Sequence, residues 1–91
     1  MEFEWDPAKD AANLEKHGFG FADAVAVFAD PDRLEEDSTR PEFGEVRGQA
    51  IGWSEFGIVT VVFTDRGGYR RIISARKAHR DERARYGQGK A

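Results

Sequence analysis

The run SARKAHRDERARY, Ser74 to Tyr86, holds five arginine or lysine residues in thirteen positions. A guanidinium stays charged at physiological pH and grips a phosphate or carboxylate through two parallel hydrogen bonds. Histidine, present as His17 and His79, is the side chain suited to proton transfer near neutral pH. Glu45 lies two residues from Arg47, where a carboxylate can take up a proton beside a cation. Arg83 and Tyr86 are three apart and share one face of any helix that contains both. Such groups can hold an anion and move protons. Nothing in the spacing suggests a structural metal site, since there is no cysteine and only these two histidines.

The net charge of −3 is unevenly spread: residues 1–65 balance at −10 and residues 66–91 at +7. The local field governs steering more than the total does. This polarity therefore either marks a surface for a polyanion or is neutralised by surface pairs between the two parts. Ninety-one residues make one small domain, 1–91, with a modest core and little room for a deep pocket. The acidic start MEFEWDPAKD is not a secretory signal, and no apolar run approaches the ~20 residues of a membrane span. A cytoplasmic location is expected.

Those groups must be placed by the elements around them. Phe3–Trp5 reads as a short strand. Asp6 and Pro7 then open a helix as N-cap and first residue, and Gly18 closes it. Its expected apolar face is thin: Ala8, Ala11, Ala12 and Leu14. A second helix is expected in FADAVAVFAD, with Phe21, Ala24, Val25 and Phe28 as its core stripe. Residues 33–44 read as an acidic, irregular segment with a short strand at its start, its Glu35–Asp37 run a solvated loop or a surface for a basic partner. EVRGQAIGW, IVTVVFTD and YRRIISARK read as three strands joined by turns, Gly67-Gly68 being a strong hairpin signal. AHRDERARY reads as a charged closing helix. The order is that of an α+β domain with an antiparallel sheet.

Strand alternation sorts the side chains. Residues opposite one another in a hairpin share a sheet face. Two- or four-residue turns put Arg47, Gln49, Ile51, Trp53, Thr60, Val62, Thr64, Arg71, Ile73, Ala75 and Lys77 on one face. Gly48, Ala50, Gly52, Val59, Val61, Phe63, Ile72 and Ser74 fall on the other, with Arg70 and Arg76 towards its ends. Glycine and alanine let helices approach closely, so the second face is expected to be the core. Arg47 and Arg76 then lie on opposite sides. They act together only if a bulge intervenes or Arg76 curls round a strand end.

Four stretches, in order, resemble BrnT-type toxins, the ribonucleases of bacterial type II toxin–antitoxin pairs. They are NLEKHGFGFADAVAVFADP, the R-x-x-x-I-G pattern at Arg47–Gly52, VVFTDRGGYRRIISARKA and DERARY. The resemblance implies a RelE-like α+β fold: two N-terminal helices packed on an antiparallel β-sheet, plus a charged C-terminal helix. It implies metal-independent RNA cleavage by 2′-hydroxyl attack, without a cofactor, that inhibits translation. It also implies a ribbon-helix-helix antitoxin, BrnA-like, in a 2:2 complex that binds operator DNA, and no membrane.

Cleavage of this kind needs positioning, charge stabilisation at phosphorus and two proton transfers. Arg47 and Arg76 match family positions as phosphate-stabilising groups; each is otherwise a surface arginine paired with an acid. Arg83 and Tyr86 either reach the substrate or serve structure, Arg83 through Glu82 or Glu45 and Tyr86 by packing its ring. His17 either moves a proton or caps its helix through free carbonyls and the dipole. Glu45 is the candidate base, and Arg71, Lys77 and Arg80 are candidate contacts to the RNA backbone. Trp53 either stacks on a base or packs half-buried. The competing reading is a non-catalytic module that holds nucleic acid or a partner through its basic end.

Overall fold

The computed structural model describes residues 2–88. Along the chain run β1 (Glu2–Trp5), α1 (Pro7–His17) and α2 (Phe21–Ala24), the last continuing as a 3₁₀ turn (Val25–Ala29). Then come β2 (Leu34–Asp37), a second 3₁₀ turn (Pro41–Phe43), β3 (Gly48–Ser54), β4 (Gly57–Arg66), β5 (Tyr69–Lys77) and α3 (Arg80–Gln88). The sheet order is β1-β5-β4-β3-β2. The arrangement is α+β as expected, but the sheet is mixed. β1 runs parallel to β5, because the chain leaves β1 through the helices and returns at the far edge.

The second helix is shorter than its sequence suggests. α-Helical geometry lasts one turn and then tightens to three residues per turn. The fully buried residues follow that tighter period: Phe21, Ala24 and Val27 lie at i, i+3 and i+6. Val25 and Phe28 are only partly buried against them. The short strand expected at the start of the acidic segment is present as Leu34–Asp37, paired to β3 at the sheet edge. It takes in the Glu35–Asp37 run expected as a loop or partner surface.

α1 begins as expected, with the Asp6 carboxylate accepting from Ala8 N–H, and ends at Gly18 in the left-handed conformation. Its inward residue, however, is polar. Ala8, Ala11, Ala12 and Leu14 are exposed, and Asn13 is buried. β1 pairs with β5 only as far as Ile72, so the edge of β5 is bare beyond it. Asn13 Oδ1 accepts there from Ala75 N–H at 3.1 Å, while its Nδ2 donates to the Phe19 carbonyl at 3.0 Å. One side-chain amide thus replaces a missing strand neighbour.

The β3–β4 and β4–β5 turns are two-residue loops, so the expected facing of β3 and β4 holds: Ala50 opposes Val61 and Gly52 opposes Val59. Gly52 is where the helical layer approaches most closely, since a Cβ there would stand 2.8 Å from Val27 Cγ1. In β5 the expected facing fails half-way. Phe63 opposes Ile72 and Val62 opposes Ser74, so Ile73 is an extra residue, a β-bulge. Beyond it every side chain changes sides. Ala75 joins the core under α2, Lys77 opposes Val59 on that same side, and Ser74 and Arg76 turn to the other face. Before the bulge Arg70 stays on the core face, its guanidinium 4.0 Å from the Phe63 ring centroid. α3 packs on the opposite face through Ala78 and Tyr86 against Ile51.

Asn13→Ala strands two buried backbone groups, which is expected to lower the unfolding free energy by about 1–3 kcal/mol for each. Urea unfolding should show this as a lower midpoint with an unchanged slope, while Leu14→Ala, at an exposed site, should stay within about 0.5 kcal/mol of the parent.

Candidate functional site

The bulge turns Ser74 and Arg76 onto the sheet face that carries α3, but Arg76 lies well along β4 from Arg47. Arg76 opposes Thr60, and Ser74 opposes Val62. Arg47 stands just before β3, its backbone pinned by the loop that follows β2. Ser38 N–H donates to the Arg47 carbonyl at 2.9 Å, and Thr39 Oγ1 accepts from Arg47 N–H at 3.0 Å. The loop is closed by the Pro41–Phe43 turn and by Gly44, whose φ of 68° suits glycine.

Of five cavities on the described residues, one of about 220 Å³ opens beside Arg47. Ser38, Arg40, Phe43 and Arg47 form its loop side; Val62, Ile73 and Ser74 form its sheet side. It alone has no carboxylate in its lining. The largest, about 770 Å³, shares Phe43 and Arg47 but adds Glu35, Glu36, Asp37, Glu45 and Asp65. A phosphodiester would meet carboxylates in the lining of the second and none in the lining of the first.

The two family-matched arginines are paired very differently. Arg47 meets Glu45 through Nε and Nη2, both at 2.9 Å, with the Glu45 side chain 34% exposed. Pairs this open contribute about 0–1 kcal/mol, so an incoming phosphate can displace the carboxylate. Arg76 instead makes a two-pronged pair with Glu82, at 2.6 and 3.0 Å, and the Glu82 side chain is 5% exposed. Glu82 Oε1 also accepts from His79 N–H at 2.7 Å and Thr60 Oγ1 at 3.0 Å. The Arg76 pair above all, then the His79 and Thr60 bonds, hold its carboxyl down from 4.5 to about 2. Breaking a buried pair costs about 3–5 kcal/mol. Arg76 is therefore built into the attachment of α3 and does not line the Arg47 cavity.

A family model describing a ribonuclease toxin, BrnT, of type II toxin–antitoxin systems matches residues 5–82. The chain belongs to that BrnT family. A search of curated proteins gives no match. Family membership brings an RNA substrate and an antitoxin partner.

In this BrnT chain the remaining candidates scatter. Tyr86 is buried and donates to Asp30 Oδ2 at 2.6 Å, so it ties α3 to the end of the first 3₁₀ turn. That bond, then burial, raises its hydroxyl from 10.0 to about 12. Arg83 donates to the Ala78 carbonyl at 2.7 Å and not to Glu82 or Glu45. Arg85 grips Glu36 at 3.0 Å through both prongs, and that bond, with a second from Gln49, lowers the Glu36 carboxyl. The acidic run thus has cationic partners within the chain. Arg71 faces Glu4 at 3.6 Å on the sheet's outer edge. Arg80 and Lys77 are exposed, and His17 ends α1 without joining the cavity lining. Trp53 is 61% exposed but borders a cavity that contains Asp30 and Glu55. Sequence reasoning missed Ser38, Arg40, Phe43 and Ser74. Arg40 and Phe43 around Pro41 and Gly44 gave a turn signal; Ser74 had none, because the bulge that aims it leaves no local mark.

Since the folded-state pKa of Glu82 lies below its ordinary value, its stabilisation is complete above about pH 4.5 and is lost as pH falls towards about 2. The loss is expected to reach about 3 kcal/mol, and unfolding curves across that range should be flatter for Glu82→Gln. Tyr86→Phe is expected to lower stability by about 1.5–3 kcal/mol in the same assay, while cleavage by the folded fraction is unchanged.

Proposed function

We propose that the chain is a metal-independent endoribonuclease working at the Arg47 cavity. What carries this reading is one arrangement: Arg40, Arg47, Ser38 and Ser74 line a cavity with no carboxylate among its lining residues, while Glu45, outside that lining, is bonded to Arg47. A phosphodiester there takes the Arg47 fork from Glu45. The released Glu45 carboxylate accepts the proton of the ribose 2′-hydroxyl as its oxygen attacks phosphorus. The O2′–P bond forms, the P–O5′ bond breaks, and the departing 5′-oxygen takes its proton from solvent water. The products are a 2′,3′-cyclic phosphate and a 5′-hydroxyl. Arg47 and Arg40 stabilise charge on the phosphoryl oxygens, the term that dominates such catalysis. Lys77, Arg80 and Arg71 act as outlying contacts to the RNA backbone, and His17 caps its helix.

At the level of the cell, the proposal is a toxin that stops translation in the cytoplasm. It is held off by a ribbon-helix-helix antitoxin in a 2:2 complex that binds operator DNA. The order of helices and strands, in one domain spanning 1–91, is in keeping with a RelE-like fold. The second reading is a non-catalytic nucleic-acid- or partner-binding module. It is favoured by the cavity's lining, which contains no histidine.

A labelled single-stranded RNA incubated with purified protein in EDTA separates the two. Cleavage to cyclic-phosphate ends is expected, falling about 10²- to 10³-fold in Arg47→Ala with its unfolding midpoint intact. Arg76→Ala is expected to lose stability first. Binding without cleavage by the parent protein would support the module instead.

A further inference from the structure

The exposed ring of Phe43 has no task in the reaction just described. It is 50% exposed, yet it is held firmly. Its turn is closed by Phe43 N–H to the Arg40 carbonyl at 3.0 Å and Gly44 N–H to the Pro41 carbonyl at 3.1 Å. The Arg47 guanidinium lies over the ring, 4.2 Å from its centroid. The ring thus stands at the rim of the Arg47 cavity, braced by the cation that binds phosphate, with half its surface open to solvent. Arg40 is exposed on the same rim and, through its backbone, bridges to Glu45.

We propose that Phe43 is the base-stacking platform of the RNA cleft and Arg40 its second phosphate clamp. One nucleobase lies on the open side of the ring while the phosphate attached to that nucleotide enters between Arg40 and Arg47. Stacking on an aromatic ring suits every base, so the platform binds single strands and excludes paired ones. Trp53, the more exposed aromatic, borders a cavity with Asp30 and Glu55 and no arginine or lysine. Phe43 also borders the carboxylate-rich cavity, but it has the Arg47 guanidinium over its ring. The proposal rests on the Arg47 reading and assigns the nucleotide contact within it.

The test uses tetranucleotides carrying 2′-O-methyl groups, which cannot cleave themselves, and a set in which each position in turn is abasic. Binding is followed by fluorescence anisotropy at several salt concentrations. Phe43→Leu is expected to weaken the base-bearing probe roughly 5- to 100-fold, the worth of one stacked base. Phe43→Tyr should restore it. One abasic probe should bind the parent weakly and be indifferent to Phe43→Leu. Arg40→Gln should reduce the slope of log affinity against log salt by about 0.7, one phosphate's share for a single strand. Equal weakening of base-bearing and abasic probes by Phe43→Leu would overturn the platform, as would no change with any probe or no binding by the parent. The parent reading fails separately: stacking without cleavage of the 2′-hydroxyl form sinks the nuclease and leaves the platform. Cleavage indifferent to Phe43 does the reverse.

Discussion

Everything on the α3 face depends on one extra residue in β5. Strand side chains alternate strictly, so without the bulge at Ile73 the second half of β5 would be turned over. Ser74 and Arg76 would press into the apolar layer beneath α2, and Ala75 would face α3. With it, β5 serves both layers: Ile72 and Ala75 fill one core, while Ser74 and Arg76 meet Val62 and Thr60 on the other side. The same residue, Ile73, lines the cavity beside Arg47. Bulges commonly re-aim a side chain near a site of binding or chemistry.

Once the arginines share a face, their partners decide what each can do. Exposure and the number of bonds divide them more sharply than charge. Glu82 receives four hydrogen bonds while nearly buried, which makes Arg76 part of the joint between sheet and α3. Glu36 is as exposed as Glu45 but takes both prongs of Arg85 and a further bond from Gln49, which ties α3 to the edge strand. Glu45 has solvent at its side, and the Arg47 pair is weak enough to open. Two arginines of the basic carboxyl end, Arg76 and Arg85, thus tie α3 to the sheet. On the proposed reading the phosphate falls to Arg47 and Arg40 at the other end of the sheet face.

Some of this was legible in the sequence. Asp6-Pro7 and Gly18 bounded α1, the two glycines at 67 and 68 closed a hairpin, and the facing of β3 against β4 followed from turn length. The rest depended on tertiary partners. Asn13 reads as a surface residue in a helix, and only the bare edge of β5 gives its amide a buried role. Phe21, Ala24 and Val27 show a period of three only if the helix tightens, which local residue types do not announce. The placement of Arg76 turned on a bulge, one of two ways open to it from the sequence, and no residue type marks Ile73 as its location. Phe43 and Arg40 lay in a stretch that matched no motif, though Pro41 and Gly44 bound a 3₁₀ turn there.

The most direct measurement is amide chemical-shift mapping of the protein titrated with a 2′-O-methyl RNA tetranucleotide. If a phosphodiester occupies the arginine-lined cavity, the shifts will centre on Ser38–Arg47 together with Val62 and Ser74, and will be small at Trp53 and Tyr86. Shifts centred on Lys77–Arg83 or on the Asp30–Trp53 cavity, with Ser74 and Arg47 unmoved, would contradict it.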